Sequence, residues 1–413
     1  MEIKTMTKAM LFGALMAIVA GCTPCDNSCA SNSNTTYVRD AVAPYVESGE
    51  LSGLICILYN NGVQEVTCAG YSNVETKRPI TVDDVYMQCS QTKGFCGVTI
   101  AKLIEEGKIN LDAPVSKYLP EFKTLWVKTS SDKDTITLKK AKNELTIRMV
   151  MNHTGGFPFE IPAKHGDARG GGCSGGMPIR QVAVTAASQP LLFEPGTKVQ
   201  YSNTGIDIGA AIVEVVTGKL WEDYLRDEVL LPLGMKVSSF KPTDEQLKTQ
   251  VEMYDCAKGL KAKYRVENSW QQRPYNGPKV FASAGAGLWT TARDQVKFYK
   301  MLMNLGVGDN GVRILKEETV KNILAVSTRP KDLGGYSLGL TAPVEDNENA
   351  WFGHGGAWGT NCIVNWHKKQ LKLVAVQLCG GPRPWNEKID EVAKKFFAAE
   401  VDKSVEEYTG RIK

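Results

Sequence analysis

A serine three residues ahead of a lysine can become a nucleophile without help from histidine. The chain carries that spacing three times, as Ser90-Gln91-Thr92-Lys93, Ser130-Ser131-Asp132-Lys133 and Ser238-Ser239-Phe240-Lys241. Ordinary serine and lysine frequencies give roughly one or two such matches by chance in a chain this long, so context has to separate them. Ser130 lies in a charged polar stretch and Ser238 precedes a proline-interrupted one; neither leads into a helix that would hold both side chains together. Ser90 opens SQTKGFCGVTIAKLIEEGKINLD, whose run from Phe95 to Ile104 is apolar on nearly all sides and ends near Gly107, a helix C-cap. That pattern describes a buried central helix with Lys93 one turn from Ser90. A lysine there is costly unless its amine is partnered or neutral, and a desolvated amine beside a hydroxyl activates a serine. A helix-capping serine with a lysine snorkelling to solvent fits the same residues.

Two other stretches could complete such a site. The tripeptide Tyr-Ser-Asn occurs twice, at Tyr71–Asn73 and at Tyr201–Asn203. The second copy precedes the apolar helix pattern TGIDIGAAIVEVVTG, which would hold Tyr201 where a loop meets a helix; Asn203 serves equally well as the cap of that helix. The sequence FGHGGAWGTNCIVNW places His354 to Gly356 at the entry to a strand. Glycines there let a strand edge approach a ligand, and a backbone N–H could complete an oxyanion hole with that of Ser90. A tight turn with a surface histidine is the competing reading.

The elements that must position these residues follow from periodicity. LSGLICILYNNGVQEVTCAGYSN is two apolar runs around an Asn-Gly turn, a β-hairpin. From about Asp84 to Asn276 the pattern is mainly helical, with polar loops such as KTSSDKDTITLKKAKN. DLGGYSLGLTAP and AWFGHGGAWGTNCIVNWHKKQLKLVAVQL read as strands with tight turns, and NEKIDEVAKKFFAAEV as an amphipathic helix. Strands at both ends and helices between them predict an α+β fold: an antiparallel sheet flanked by helices, with an inserted mainly helical lobe over about 106–279 and a cleft between the two.

Composition narrows the chemistry. The 49 basic and 45 acidic residues nearly cancel and form no basic block, which leaves a nucleic-acid partner without electrostatic support. RGGGCSGG, Arg169 to Gly176, has neither the preceding strand nor the Gly-Lys-Ser/Thr ending of a phosphate loop, and reads as a loop near the cleft. The four histidines, 153, 165, 354 and 367, lack metal-ligand spacing, and no cofactor is expected. Cys56 and Cys68 flank the Asn-Gly turn, either as a cross-hairpin pair or as two small buried hydrophobes. Cys89 reads as another buried small hydrophobe.

At the N-terminus, lysines precede an apolar run from Ala9 to Ala20 and then Gly21-Cys22. The run is too short to span a bilayer as a mature helix and reads as an export signal over 1–21. The small residues ending in Cys22 resemble the lipobox of bacterial lipoproteins. That resemblance implies lipidation of Cys22 and a place in the bacterial cell envelope, with the membrane contacted only through the anchor; an ordinary signal peptide with an incidental cysteine is the competing reading. The polar stretch over 22–36 has nothing to pack and reads as a tether to a folded domain over 37–405.

Taken in order, SQTK with LIEEGKINLDAPVSKYLPEF behind it, LTIRMVMNHTGGFP, FEPGTKVQYSNTG, FASAGAGLWTTARDQVKFY and GHGGAWGT resemble the serine β-lactamase and penicillin-binding-protein superfamily. The resemblance is to the branch of class C β-lactamases, D-alanyl-D-alanine carboxypeptidases, D-aminopeptidases and related esterases. It implies Ser90 as nucleophile, with Lys93 and Tyr201 removing and returning its proton, and it makes Tyr71 the decoy. It further implies Asn203 as a substrate contact, His354 and Gly356 as the third motif, and the N–H groups of Ser90 and Ala357 as the oxyanion hole. The substrates implied are amides or esters, first cell-wall D-amino-acid peptides. Two departures stand out: the third motif is His-Gly-Gly in place of Lys-Thr-Gly, and Ser-Asp-Asn is absent. Without that lysine the cation that helps attract a β-lactam carboxylate is missing, which points toward carboxypeptidases, aminopeptidases and esterases.

Overall fold

The structure is a computed structural model that describes residues 38–132, 134–161, 178–255, 264–265, 282–379 and 382–399. The expected export signal, the tether, Cys22 and the Arg169–Gly176 stretch lie outside the described residues.

The Asn-Gly hairpin forms as its pattern requires. Strands β1 (Gly53–Asn60) and β2 (Val63–Asn73) pair antiparallel, and Asn61 and Gly62 take φ of 44° and 100° in the turn. Two consecutive residues at positive φ match the right-handed twist of the strands, which is why Asn-Gly is favoured there. A short β3 (Arg78–Pro79) follows on one side. On the other, three C-terminal strands, β4 (Phe352–Gly355), β5 (Asn361–Asn365) and β6 (Gln370–Ala375), complete a six-stranded sheet in the order β4-β5-β6-β1-β2-β3, antiparallel throughout.

Strand β1 is buried on both faces, and its alternation sorts two layers. Leu54, Cys56 and Leu58 pack with Val374, Trp385 and Ile389 under α1 (Val38–Glu47) and the C-terminal amphipathic helix Trp385–Ala398. Ile55 and Ile57 face Phe95 of α2 (Thr92–Glu105) and Phe298 of the helix Ala292–Met303, whose rings stack at 3.7 Å. The same register settles the hairpin cysteines: Cys56 lies opposite Thr67 and Cys68 opposite Ile55. Their side chains therefore leave the sheet on opposite faces, which excludes a cross-hairpin disulfide.

Beyond the sheet, α2 packs against the helix Asn203–Thr217, which in turn packs on Ile179–Ala187. Two sequence expectations fail in this region. KTSSDKDTITLKKAKN is no loop: Trp126–Ser131 and Ile136–Lys140 pair antiparallel, and the Asp132 carboxylate accepts from the N–H groups of Asp134 and Thr135 to make the turn. Ile136 to Lys140 are exposed throughout, and the short alternation of Ile136 and Leu138 with Thr137 and Lys139 is lost among the surrounding polar residues. Conversely, DLGGYSLGLTAP forms no strand pair beyond one bridge, Thr341 to Gly353; Gly334 and Gly339 sit at positive φ and interrupt extension.

Candidate active site

Ser90 sits in a 3-10 turn, Cys89–Gln91, that leads into α2, and Cys89 holds a φ of 53°. The helix takes no side-chain cap at its start, so Ser90 does not act as the capping serine. Lys93 does not snorkel either: it is 0% exposed. Burying an ammonium is tolerable only with partners. Here Nζ donates to Ser90 Oγ at 3.2 Å, to Asn203 Oδ1 at 2.6 Å and to the Gly285 carbonyl at 2.7 Å, and lies 4.5 Å from the centre of the Tyr201 ring. The two rival Ser-Lys pairs are built differently. Ser238 is buried in a structural bond to Asp294 and Thr290 with Lys241 exposed, and Ser130 lies on the exposed hairpin.

The second Tyr-Ser-Asn is placed by a cap one residue earlier than the sequence suggested. Ser202, not Asn203, caps the helix Asn203–Thr217: its Oγ accepts from Gly205 N at 3.0 Å and donates to Pro158 O at 2.7 Å. Asn203 is thereby released toward Lys93, and its amide nitrogen donates to Glu160 Oε1 at 3.3 Å. The Tyr201 ring lies 4.5 Å from Lys93 Nζ, and burial pushes its phenol well above the usual tyrosine range although the nearby Ser90 hydroxyl acts to lower it. Tyr71, by contrast, is on β2 opposite Pro79.

Strand β4 brings the third motif to the serine. Gly356 N donates to Thr360 O, and Thr360 Oγ1 donates to Gln88 O at 3.0 Å. A Cβ on Gly356 would lie 2.4 Å from that same Gln88 carbonyl, so only glycine admits so close an approach. The turn Ala357–Gly359 packs against the turn Cys89–Gln91 that carries Ser90. His354 is 6% exposed and not the surface histidine of a turn. Its Nδ1 faces the Gly355 carbonyl and its Nε2 the Tyr336 hydroxyl at 2.9 Å. A carbonyl only accepts, so Nδ1 carries the proton and Nε2 accepts from Tyr336. Burial, then the Lys93 charge, push the His354 pKa down to about 3, leaving a neutral imidazole.

Beyond Glu160 and Tyr336, three further residues join the site to which the sequence assigned no role. His153 packs 4.5 Å from the Tyr201 ring and 4.6 Å from that of Tyr336, and its Nδ1 accepts from Ser202 N. Arg329 lies 4.7 Å from the Tyr336 ring and donates through Nε to Asn152 O. Asp207, one turn after Asn203, accepts from Ser283 Oγ at 3.3 Å and Gly285 N at 3.2 Å, and so fixes the turn whose carbonyl receives Lys93. Burial pushes the Asp207 carboxyl up to about 7.

A buried Ser-Lys-Tyr cluster at a helix start, faced by a glycine turn on the edge of an antiparallel sheet, defines the fold class of β-lactamases and penicillin-binding proteins. The chain belongs to the beta-lactamase family, whose family profile matches residues 38–393. That family and its structural relatives comprise serine hydrolases and acyltransferases. Among curated proteins, Protein Rv1367c of Mycobacterium tuberculosis is 27% identical over 280 residues, 67% of this chain and 68% of that one. Simvastatin synthase from Aspergillus terreus, in a mutant form, superposes with a TM-score of 0.71 at 21% identity, over 87% of this chain and 94% of that one. A family VIII carboxylesterase gives a TM-score of 0.66 at 21% identity, over 89% and 98%.

Proposed function

We propose that the protein is a serine hydrolase working through an acyl-serine intermediate on amides or esters, with D-amino-acid derivatives of the cell wall as its first substrate class. The Cys22 lipid anchor expected from the N-terminus would keep it at the envelope. The observation that supports this most is the set of Lys93 contacts. Asn203 Oδ1 and Gly285 O only accept, so they hold two Nζ protons whatever the charge of the amine. The third position faces Ser90. An ammonium donates there; a neutral amine turns its lone pair there and accepts the serine proton.

The reaction then follows. Ser90 Oγ gives its proton to Lys93 as the Oγ–carbon bond forms, and the oxyanion develops against the N–H groups of Ser90 and Ala357. The phenol of Tyr201, kept protonated by burial, relays a proton to the leaving amine or alkoxide as its bond to carbon breaks. Water attacks the acyl-serine by the reverse route. His354, neutral and held by Tyr336, supplies no cation for a β-lactam carboxylate, which favours a peptidase or esterase over a β-lactamase.

Intact-protein mass spectrometry after adding penicillin or a p-nitrophenyl ester, with Ser90→Ala in parallel, tests this reading. The expected result is an acyl adduct or ester turnover that Ser90→Ala abolishes while its circular dichroism stays native. Turnover that survives the substitution would sink the assignment.

A further inference from the structure

The charges around the nucleophile differ in one respect from a site built for an anionic substrate. His354 stands where Lys-Thr-Gly would put a cation, and it is neutral with both ring nitrogens engaged. Arg329 is packed against the Tyr336 ring and donates to the carbonyls of Asn152 and, at 3.5 Å, Leu333. Two carboxyl groups among the described residues lie within electrostatic reach of Lys93: Asp207, buried and held by Ser283 and Gly285, and Glu160, half-buried, bonded to the Asn203 amide and the one of the two that meets solvent. Burial raises the Glu160 pKa despite both contacts. Its neighbour Phe159 is 46% exposed, lies nearly parallel to the Tyr201 ring at 6.0 Å, and accepts the Asn203 N–H on its carbonyl. Glu160 therefore sits at the rim of the cluster, three hydrogen bonds from Ser90 through Asn203 and Lys93.

We propose that Glu160 selects substrates whose acyl group carries a free, protonated amine close to the scissile carbonyl. The inference rests on the hydrolase reading above and narrows its substrate class. Asn203 uses one lone pair of one carboxylate oxygen; the remaining acceptor positions can take an ammonium. A carboxylate already half out of water gains from a cationic partner, and a charge-assisted bond there is stronger than a neutral one. An N-acylated or carboxylate-bearing group at the same place would face Glu160 without a proton to give, or with like charge. Phe159 and the Tyr201 ring offer apolar surface to a small side chain on the same acyl group.

The test compares the p-nitroanilides of D-alanine and N-acetyl-D-alanine on the full chain, wild type and Glu160→Gln. Glutamine keeps an oxygen to accept from Asn203 and loses only the charge. The free-amine probe should be preferred by wild type, and Glu160→Gln should lower its kcat/KM by roughly ten- to a hundred-fold, the range for one hydrogen bond to a charged group, mainly through KM. The acetylated probe should change little. Equal losses on both probes would mean that Glu160 only holds Asn203, and would overturn the inference, as would a wild-type preference for the acetylated probe. A wild-type enzyme that acylates at Ser90 with an ester yet turns over neither anilide also overturns it. Loss of Ser90 acylation and of turnover together would instead overturn the hydrolase reading.

Discussion

The two copies of Tyr-Ser-Asn are the same three residues doing different work. In the first, Tyr71 lies on β2 opposite Pro79, Ser72 is buried and donates to Arg78 O at 3.0 Å, and Asn73 Oδ1 accepts from Thr76 N and Thr76 Oγ1. Its side-chain bonds all stay within seven residues, longer reach being left to backbone pairing such as Glu252 N to Ser72 O, and the side chains shape a strand end and its turn. In the second, the Tyr201 ring packs 4.5 Å from Lys93 Nζ beside Ser90, Asn203 bonds Lys93 and Glu160, and Ser202 caps the helix that holds them. These bonds span gaps of 43 and 110 residues. A strand alternates side chains to opposite faces, so its Tyr and Asn share one face with a polar residue sent inward between them. A loop entering a helix at an N-cap can instead aim both at one point. Chemistry at this tripeptide follows from the element that carries it.

The sharpest way to break that contrast is to remove one hydroxyl from each copy. Tyr201→Phe should slow acylation by about 10²- to 10⁴-fold, the range for a lost general acid or base, while Tyr71→Phe leaves kcat/KM unchanged. Stopped-flow bursts with a p-nitrophenyl ester check both. Equal rates in the two variants would remove Tyr201 from proton transfer.

A second difference lies four residues past each copy, where Lys77 is exposed and Asp207 is buried. The unfolded Asp207 carboxyl ionises near 3.8, whereas the folded one keeps its proton up to about 7. Between those values the native state binds more protons, so this residue's contribution to stability falls as pH rises and is fully lost above about 7. Asp207→Asn removes that dependence and keeps an acceptor for Gly285 N. Its melting temperature relative to wild type should therefore rise from pH 4 to pH 8, by the equivalent of a few kcal/mol. A pH-independent difference would mean that Asp207 is ionised in the folded protein throughout.

The contrast also marks where sequence reasoning stops. The Asn-Gly hairpin, the central helix after Ser90 and the helix after Asn203 were legible because burial imposes a period on local sequence. The order of SQTK, the second Tyr-Ser-Asn and His-Gly-Gly was legible through family resemblance. Glu160, Asp207, His153, Tyr336 and Arg329 were not, because each is placed by contacts far along the chain and carries no spacing of its own. The Ser202 cap was misread by one residue, since serine and asparagine cap helices equally well. Two stretches gave the wrong element: at 126–140 the alternation is short and set among exposed charged residues, and at 332–343 Tyr336 to Leu340 alternate like a strand while Gly334 and Gly339 at positive φ break the extension.

The smallest expected effect separates stability from placement. Ser72 and Ser202 are both buried, and each donates its hydroxyl to a carbonyl. Ser72→Ala and Ser202→Ala each leave that carbonyl unsatisfied, and Ser202→Ala also uncovers Gly205 N at the helix start. Both should lower stability by about 1–2 kcal/mol in urea titrations. Kinetics should then part them. Ser202 lies between the two side chains that meet Ser90 and Lys93, and its N–H donates to His153 beside the Tyr201 ring, so loosening it should lower kcat/KM several-fold at temperatures where the fold is intact. Ser72→Ala should keep wild-type kinetics at the same temperature. If the two variants slow turnover alike at matched stability, the site responds to global stability alone, and the local placement of Tyr201 and Asn203 by the Ser202 cap is not what sets its geometry.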